Sequence, residues 1–508
     1  MSAQTHAQPQ PETTGTQTAD DNSPSSHFRR LVRKEFRPRN DRAASQVDKA
    51  IGLLAAEALR DTTLIGEDVE ETIQAIIGRL DNILAEQIDA ILHHPDFQEL
   101  ERAWRGLQYL VDNTATSSLQ KIKVLNISKS EIQAVLKRSK AEDKWDRSIL
   151  FTHIYDDAIG SHNGDPFACL IGDYQFDHQQ QDVDTLKRLG RIAAAAHAPF
   201  IAAAAPALCN IDNWRDYPTV SDLDRLFDGV EYAAWRELRN EDDARYLSLC
   251  MPRFLVRAPY KPGANEAEGY VSFKESVDND APEHLCWANS AYAMGVNINR
   301  AFTEYGWVSR IRGAEAGGQV TGLPQHLFTA ADGQLDATCP TEIALPVRKE
   351  TALSAQGLTA LVHERNSNQA TFFDAPNLRR PVAYEGAPGK TAEERLGTRL
   401  PYIFTTSRFA HYLMRIVYRK IGSDQFSTAD EVQRWLNQWI KNYVLGDPKT
   451  AGEKLRAEKP LADARVEVTA DPERPGYYNT IFNLRPHFQI EEMAVSMRLT
   501  SLVPSKRD

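Results

Sequence analysis

The sequence predicts a mixed α/β and α+β fold, with N-terminal helices, a central α/β domain, and C-terminal helices followed by antiparallel strands. Residues 167–205 indicate the α/β domain, because a short apolar run, a segment of helical spacing and a second apolar run follow one another. Residues 465–503 indicate the antiparallel strands, because apolar and polar side chains alternate there with a period of two.

The central segment has the order of a βαβ crossover, in which a helix connects two parallel strands. Phe167–Ile171 is predicted as the first buried strand and Phe200–Ala205 as the second, and Pro199 ends the helix between them. The apolar helix positions are Val183, Leu186, Leu189, Ile192, Ala193 and Ala196. The loop after the first strand is expected at Gly172–Gln175. It lacks the G-x-G-x-x-G pattern that would cradle a phosphate.

The N-terminal region divides into a polar tail and a basic amphipathic segment. Residues 1–26 have little apolar surface to bury and are predicted to be disordered. Residues 27–42 are predicted to form a docking helix, with the apolar anchors Phe28, Leu31, Val32 and Phe36 on one face. The basic residues around these anchors also allow a nucleic-acid or membrane patch, or a solvated tail without function.

Two further helices are expected over residues 45–60 and 67–92. The second carries a heptad-like apolar seam at Val69, Ile73, Ile76, Leu80 and Ile83. Such a seam needs a partner helix, either in the core of the same chain or in another subunit. We assign residues 43–118 to an N-terminal helical region, 119–400 to the α/β domain with long loops, and 401–508 to C-terminal helices and strands.

The C-terminal region is predicted to contain two apolar helices and three strands. The helices cover Tyr402–Ile421 and Thr428–Val444, and the second begins with the capping box Thr428-x-x-Glu431. The residues expected on the buried faces of strands shared between subunits include Phe482, Leu484, Val495, Met497 and Leu499.

Composition narrows the classes of function. The chain has 508 residues, 42% hydrophobic and 25% charged, and a net charge of −11, which argues against a general nucleic-acid-binding protein. The apolar run Ile192–Leu208 is interrupted by His197 and Pro199 and is too short to span a bilayer. The polar N-terminus lacks the apolar core of a signal peptide, so a cytoplasmic location is expected.

The sequence patterns that suggest a phosphate-binding loop or a metal site are incomplete. Gly386–Thr391 lacks the first glycine of a phosphate-binding loop, and His363-Glu364 lacks the second histidine of a zinc motif. His93 and His94 are read as a helix C-terminal cap, and His197 as a packed residue. The five cysteines are widely spaced and are expected to be reduced thiols. We therefore expect no enzyme activity, no metal and no cofactor.

Six long blocks, in the same order, resemble the large contractile-sheath subunit of bacterial type VI secretion systems, the TssC/VipB family. They are HHPDFQELERAWRGLQYLV (93–111), FACLIGDYQFDHQQQDVDTLKRLGRIAAAAHAPFIAAAAPAL (167–208), WANSAYAMGVNINRAFTEYGWVSRIRG (287–313), GLPQHLF (322–328) with CPTEIALPVRKE (339–350), LPYIFTTSRFAHYL (400–413) and FNLRPHFQIEEMAVSMRL (482–499).

The resemblance implies a structural protein that pairs with a small sheath subunit and stacks with other copies of itself into a six-fold helical tube. It further implies an inner tube of hexameric rings, a baseplate on which assembly begins, and a AAA+ unfoldase that docks on the N-terminal helix. Neither nucleic acid nor membrane is an implied partner. Two alternatives stay open: a sheath protein of a related phage-tail-like injection system, and an α/β enzyme.

Overall fold

A computed structural model describes most of the chain and divides it into two units. The units are Met1–Leu92 with Tyr260–Glu275, and His93–Pro259 with Ser276–Asp508. The described residues are 45, 46, 49, 52, 69–140, 145–160, 164–220, 222–261, 273–277, 282–329, 335–365, 367–416, 428–447, 450–470, 477–486 and 497–504. The predicted tail 1–26 and docking helix 27–42 lie outside them, and the predicted domain boundaries stay predictions.

Among its described residues, the smaller unit contains the long helix α1 (Val69–Leu92), which confirms the helix predicted over 67–92. Large apolar side chains along it are exposed to solvent in the single chain. They are Ile77, Leu80, Ile83, Leu84 and Ile91. The helix thus presents part of its predicted seam without burying it.

The larger unit is built around a six-stranded sheet with three smaller sheets. Its strands are β1 (Leu170–Phe176), β2 (Phe200–Ala204), β3 (Leu247–Met251), β4 (Phe254–Arg257), β5 (Cys286–Ala288), β6 (Gln319–Val320), β7 (Leu327–Thr329), β8 (Leu335–Ala337), β9 (Leu358–His363), β10 (Ala370–Phe372), β11 (Leu461–Ala470), β12 (Tyr477–Pro486) and β13 (Met497–Pro504). The main sheet has the order β1-β2-β3-β9-β10-β6. The first four strands in this order are parallel to one another. Strand β10 is antiparallel to both of its neighbours, β9 and β6.

Helices cover the sheet and continue the chain toward its C-terminus. They are α2 (Pro95–Asp112), α3 (Lys129–Lys140), α4 (Ile149–Phe151), α5 (Gln180–Ala196), α6 (Leu223–Phe227), α7 (Ala233–Asn240), α8 (Ser290–Tyr305), α9 (Val347–Ala355), α10 (Pro388–Gly397), α11 (Leu400–Ile416), α12 (Ala429–Ile440) and α13 (Glu453–Glu458). A π-helix, Thr152–Gly160, continues α4.

The predicted βαβ crossover is confirmed, with one correction to its first strand. Helix α5 connects the parallel strands β1 and β2, and all six of its predicted apolar positions are buried. The segment Gly172–Gln175 was expected as a loop, but it lies inside β1. A Cβ atom on Gly172 would stand 2.5 Å from Cζ of Phe200, so the glycine makes room for that ring.

Residues 312–400 are more regular than the sequence indicates. This glycine- and proline-rich stretch was expected to hold long loops and short strands. Its short strands are confirmed, and one of them, β9, lies in the middle of the main sheet with Leu358–Val362 all buried. The helices α9 and α10 of this stretch were not expected.

Two histidine expectations can be compared with the structure. His94 was expected in a C-terminal cap, but it is the N-cap of α2, where its Nδ1 accepts from the Asp96 N–H at 3.3 Å. His197 is packed as expected: it ends α5 in the left-handed region at φ 50°, with Nδ1 3.1 Å from the Tyr246 hydroxyl.

His197 lies beside His411 of α11, and their ring centroids are 6.2 Å apart. The His411 Nε2 donates to the Ala196 carbonyl at 2.8 Å. Burial, with a smaller contribution from His411, lowers the pKa of His197 to about 4. Burial likewise lowers the pKa of His411, and the nearby Arg408 acts in the same direction. Both rings are therefore held neutral where α5 meets α11.

We expect the free energy of unfolding to fall as the pH drops from 6.5, the ordinary histidine value, toward about 4. Within this pH range His197 is protonated in the unfolded chain but stays neutral in the folded chain, so protonation favours unfolding. The loss between pH 7 and pH 5 should reach about 1 to 2 kcal/mol for this group. Chemical denaturation at several pH values measures it.

His197→Asn should flatten this pH dependence, because asparagine does not titrate and tolerates a positive φ. The exposed His153→Asn variant serves as the control and should keep the slope of the original chain. An unchanged slope in His197→Asn would contradict the assignment.

Candidate assembly interface

The C-terminal sheet has β12 at its centre, with β11 on one side and β13 on the other, both antiparallel. Register places Val466 of β11 opposite Phe482 of β12, and Leu499 of β13 opposite the same Phe482. Leu484 pairs in the same way with Met497. The predicted strands are thus confirmed as one antiparallel ladder.

One face of this sheet is the core of the C-terminal region. Val466, Thr480, Phe482 and Leu484 are each exposed by 1% or less. Val466, Phe482 and Leu484 pack with α11 and α12 in an apolar cluster that also holds Trp307 from the segment after α8. Phe482 and Leu484 therefore face the interior of their own chain. Any part they take in a subunit interface would pass through the strand backbone.

The outer edge of β11 is capped by side chains of α12. The Asn437 amide bonds both backbone groups of Val466: Oδ1 accepts from its N–H at 3.0 Å and Nδ2 donates to its carbonyl at 2.8 Å. Gln433 Oε1 accepts from the Val468 N–H at 2.8 Å. These amides replace a neighbouring strand, so this part of the β11 edge cannot accept one.

Strand β13 is the other edge of the sheet. It pairs with β12 through residues Met497–Pro504, and within the described residues no further strand follows it in the sheet order. An unpaired strand edge presents a row of backbone donors and acceptors to a second chain. Within the part of the chain that the structure describes, the C-terminal sheet thus has one edge covered by its own helix and one edge, that of β13, without a neighbouring strand.

An aromatic cluster holds the C-terminal helices against the α/β body. Trp307 contacts Phe409 of α11 at 4.8 Å and Tyr443 after α12 at 5.4 Å, between ring centroids. The Arg408 guanidinium lies over the Phe302 ring at 4.4 Å and over the Tyr412 ring at 4.9 Å. These contacts join α8, α11 and the end of α12 by packing and cation–π attraction.

The Asp374 carboxylate reinforces the same junction. Its Oδ1 accepts from Arg312 Nη1 at 2.6 Å, and its Oδ2 accepts from Arg399 Nη1 at 2.6 Å. Arg312 belongs to the α/β body, whereas Arg399 immediately precedes α11. Burial alone would raise the pKa of Asp374, but the guanidiniums of Arg399 and Arg312, with hydrogen bonds from Ser354 and the Ala375 N–H, hold it below its usual range.

The carboxyl end of β1, where parallel sheets often bind ligands, is closed by the chain's own charges. Lys129 Nζ lies 2.7 Å from Asp182 Oδ2 and donates to the Gln175 carbonyl at 2.6 Å. Asp182 also accepts from the Asp177 N–H at 3.0 Å. Among the described residues, no group of three or more histidines, cysteines or carboxylates could hold a metal ion. No described helix is long and apolar enough to cross a membrane.

The structure brings together some of the residues predicted for assembly and leaves others outside its description. Phe482 and Leu484 are placed with their side chains, and the backbones of Met497 and Leu499 are placed opposite them. Phe28, Leu31, Val32, Phe36 and Val495 lie outside the described residues. Sequence reasoning missed Asn437 and Gln433. Two amides one turn apart on a helix just before an edge strand were the available signal.

Together, the α/β body and the open antiparallel edge define a class: a structural protein suited to assembly through backbone pairing rather than through a ligand pocket. Comparison with known proteins makes the class specific. The family model of the EvpB/VC_A0108 tail sheath N-terminal domain matches residues 74–379, and that of its gpW/gp25-like domain matches residues 389–503. The chain belongs to this tail-sheath family of type VI secretion systems.

One relative covers nearly the whole chain. It is the type VI secretion system sheath protein TssC1 of Pseudomonas aeruginosa, which is 47% identical over 483 residues, 95% of this chain and 96% of the relative. Among solved structures, a sheath tail protein from Desulfitobacterium hafniense matches 62% of this chain and 59% of its own, with 11% identity and a TM-score of 0.28. The resemblance read from the sequence is confirmed, and the chain is a structural sheath protein.

Replacing Asp374 with Asn should destabilise the junction by about 2 to 4 kcal/mol, because two partly buried guanidiniums would lose their shared carboxylate. Chemical denaturation of the purified protein measures the loss. Asp165→Asn is the matched control. Asp165 pairs with Lys121 at 2.7 Å, but its side chain is 59% exposed, so little change is expected. Equal losses of unfolding free energy in the two variants would show that the Asp374 ion pairs stabilise the protein no more than an exposed ion pair does.

Proposed function

We propose that this chain is the large subunit of a contractile sheath, working in the cytoplasm. It pairs with a small sheath subunit and polymerises with its own copies into a six-fold helical tube around an inner tube of hexameric rings. The tube is assembled on a baseplate in an extended form, and contraction expels the inner tube and its spike. A AAA+ unfoldase then takes the contracted tube apart.

The observation that carries this proposal is the unequal pair of edges on the C-terminal sheet. Asn437 and Gln433 occupy the β11 edge, so a strand from another subunit is directed to β13. Backbone pairing of this kind supplies affinity in every subunit, and the alternation of side chains fixes the register. Repeated around a tube, a strand that one subunit lends to the β13 edge of the next gives a continuous head-to-tail chain of contacts with a defined direction.

The exposed seam of α1 supports a second contact of the same assembly. Leu80, Ile83, Leu84 and Ile91 lie along one helix with their side chains in solvent. A stripe of this kind is typical of a helix that packs against another helix. We assign it to the small sheath subunit, because that partner would pair with the chain before the tube forms.

A sheath protein of a related phage-tail-like injection system is the second candidate. The type VI sheath subunit and this second candidate would both use the same strand edge, so the edge does not distinguish the two functions. The requirement for a small partner subunit distinguishes them. Co-expression with the small subunit, followed by negative-stain microscopy, should give tubes only when both chains are present.

Replacing Val495 and Leu499 with Asp should abolish tube formation and leave the α/β body folded. Leu499 lies opposite the buried Phe482, so a carboxylate at this position would lose its hydration without gaining a partner, at a cost of several kcal/mol. We expect this cost to detach β13 from β12 and to remove the edge that a second chain would use. Electron microscopy of the co-expressed subunits scores the tubes, and circular dichroism scores the fold.

Thr500→Asp is the control, because it puts a charge on the same strand but on the opposite face of the sheet from Leu499. A second variant that ends the chain before Met497 removes β13 altogether and should also give no tubes. Normal tubes from either the double mutant or the truncated chain would refute strand sharing through β13.

Replacing Leu31 and Val32 with Asp should leave assembly and contraction intact but block disassembly. These residues are two of the apolar anchors through which we expect the unfoldase to bind, and the basic residues between them should set the salt dependence of binding. The assay follows ATP-driven disassembly of contracted sheaths by purified unfoldase. Disassembly at the original rate, or a failure to assemble, would contradict this role.

A further inference from the structure

Helix α2 presents an apolar stripe to solvent on the side that faces away from its own core. Phe97, Leu100, Trp104 and Val111 follow one another at helical spacing. Trp104 is 64% exposed and Leu100 is 55% exposed, although both are large apolar side chains. The stripe defined by these four residues is called the α2 stripe below.

The opposite side of α2 is fully committed to the chain's own core. Gly106 lies against the Tyr292 ring of α8, and a Cβ atom there would stand 2.5 Å from it. Leu110 is buried, and the Tyr109 ring contacts Phe254 of β4 at 5.0 Å. The helix is thus fixed by one face, and the exposure of the α2 stripe does not come from a loosely held element.

Exposed carboxylates stand around the α2 stripe. Asp96 and Glu99 lie near the start of the helix and Asp112 at its end. Glu283 is also exposed, and it is near the start of α2 because Gln98 Nε2 donates to its carbonyl at 3.0 Å. A carboxylate at a helix C-terminus, such as Asp112, is electrostatically unfavourable there, and a cationic partner would relieve it.

The arginines of α2 offset only part of this negative charge, because Arg105 is paired with Glu101 and, among the rim acids, Arg102 acts on Glu99. Arg102 Nε donates to the Gln98 carbonyl at 3.0 Å. Arg105 Nε donates to Glu101 Oε1 at 2.9 Å. The rim of the α2 stripe is therefore acidic, and it selects an amphipathic helix whose apolar anchors are bordered by Lys and Arg.

We propose that the α2 stripe binds residues 28–42 of a second copy of this chain. That segment has apolar anchors at Phe28, Leu31, Val32 and Phe36, at helical spacing that fits a stripe on a facing helix. Its basic residues are Arg29, Arg30, Arg33, Lys34, Arg37, Arg39 and Arg42. Its acidic residues are Glu35 and Asp41, so the segment is strongly positive and complements the acidic rim.

This contact is proposed for chains that are not in a tube. It needs neither a tube nor an unfoldase, so it does not make the anchors a lattice contact of the sheath and does not rest on the proposed sheath function. The experiment uses a fluorescently labelled peptide of residues 26–43 and the full-length chain. The chain carries Leu31→Asp and Val32→Asp, so that its own segments do not compete. We expect saturable binding by fluorescence anisotropy and a blue shift of tryptophan emission as Trp104 leaves water.

Trp104→Asp in the acceptor chain should weaken peptide binding about tenfold or more, as truncation of a central aromatic anchor does. Because Trp104 is exposed, Trp104→Ala should keep the fold and still weaken binding. Glu99→Lys with Asp112→Lys should also weaken it and reduce its dependence on salt. The control Val230→Asp, at a side chain 87% exposed elsewhere on the chain, should leave binding unchanged.

Three results would overturn the proposal. The first is the absence of saturable binding, which would mean that the α2 stripe has another occupant. The second is equal affinity in Trp104→Asp and Val230→Asp, which would place the peptide elsewhere. The third is equal affinity for a peptide of the same composition in scrambled order, which would leave only attraction between opposite charges.

Discussion

The carboxylate of Asp374, held between two guanidiniums, is the constraint on which the arrangement of the larger unit depends. Arg312 reaches it from the α/β body and Arg399 from the start of the C-terminal helices. Further along α11, Phe409 packs against Trp307 and Arg408 lies over Phe302, which adds ring packing and cation–π attraction. Since the C-terminal sheet is packed on α11 and α12, its position relative to the main sheet follows from this junction.

The junction matters for the proposed role because a sheath must transmit movement from one subunit to the next. A strand edge that passes force to a neighbour is effective only when the sheet behind it is fixed to the rest of its chain. The buried faces of β11 and β12 and the capped edge of β11 give that attachment. The β13 edge is the one that we propose a second chain pairs with, and the amides of α12 limit pairing at the other side.

Two exposed apolar faces complete this picture. Both helices carry acidic side chains, which are Asp81, Glu86 and Asp89 on α1 and Asp96, Glu99 and Asp112 on α2. In a single chain such surfaces favour aggregation, and in an assembly they favour contact. The chemistry of the rim decides which partner is accepted, because an acidic border repels a partner whose apolar face is bordered by acids.

The sequence alone determined the class of fold, the βαβ crossover, the capped helix at Thr428 and the three C-terminal strands. Each of these rests on short-range periodicity, which local chemistry controls. It ended the first strand at Ile171 and read Gly172–Gln175 as a loop, and it did not place Leu358–His363 in the main sheet. Tertiary structure alone decided those points, and it also decided which edge of the C-terminal sheet is open. The side chains responsible, Phe200 against Gly172 and Asn437 against Val466, are 28 and 29 residues away along the chain, and only folding brings them together.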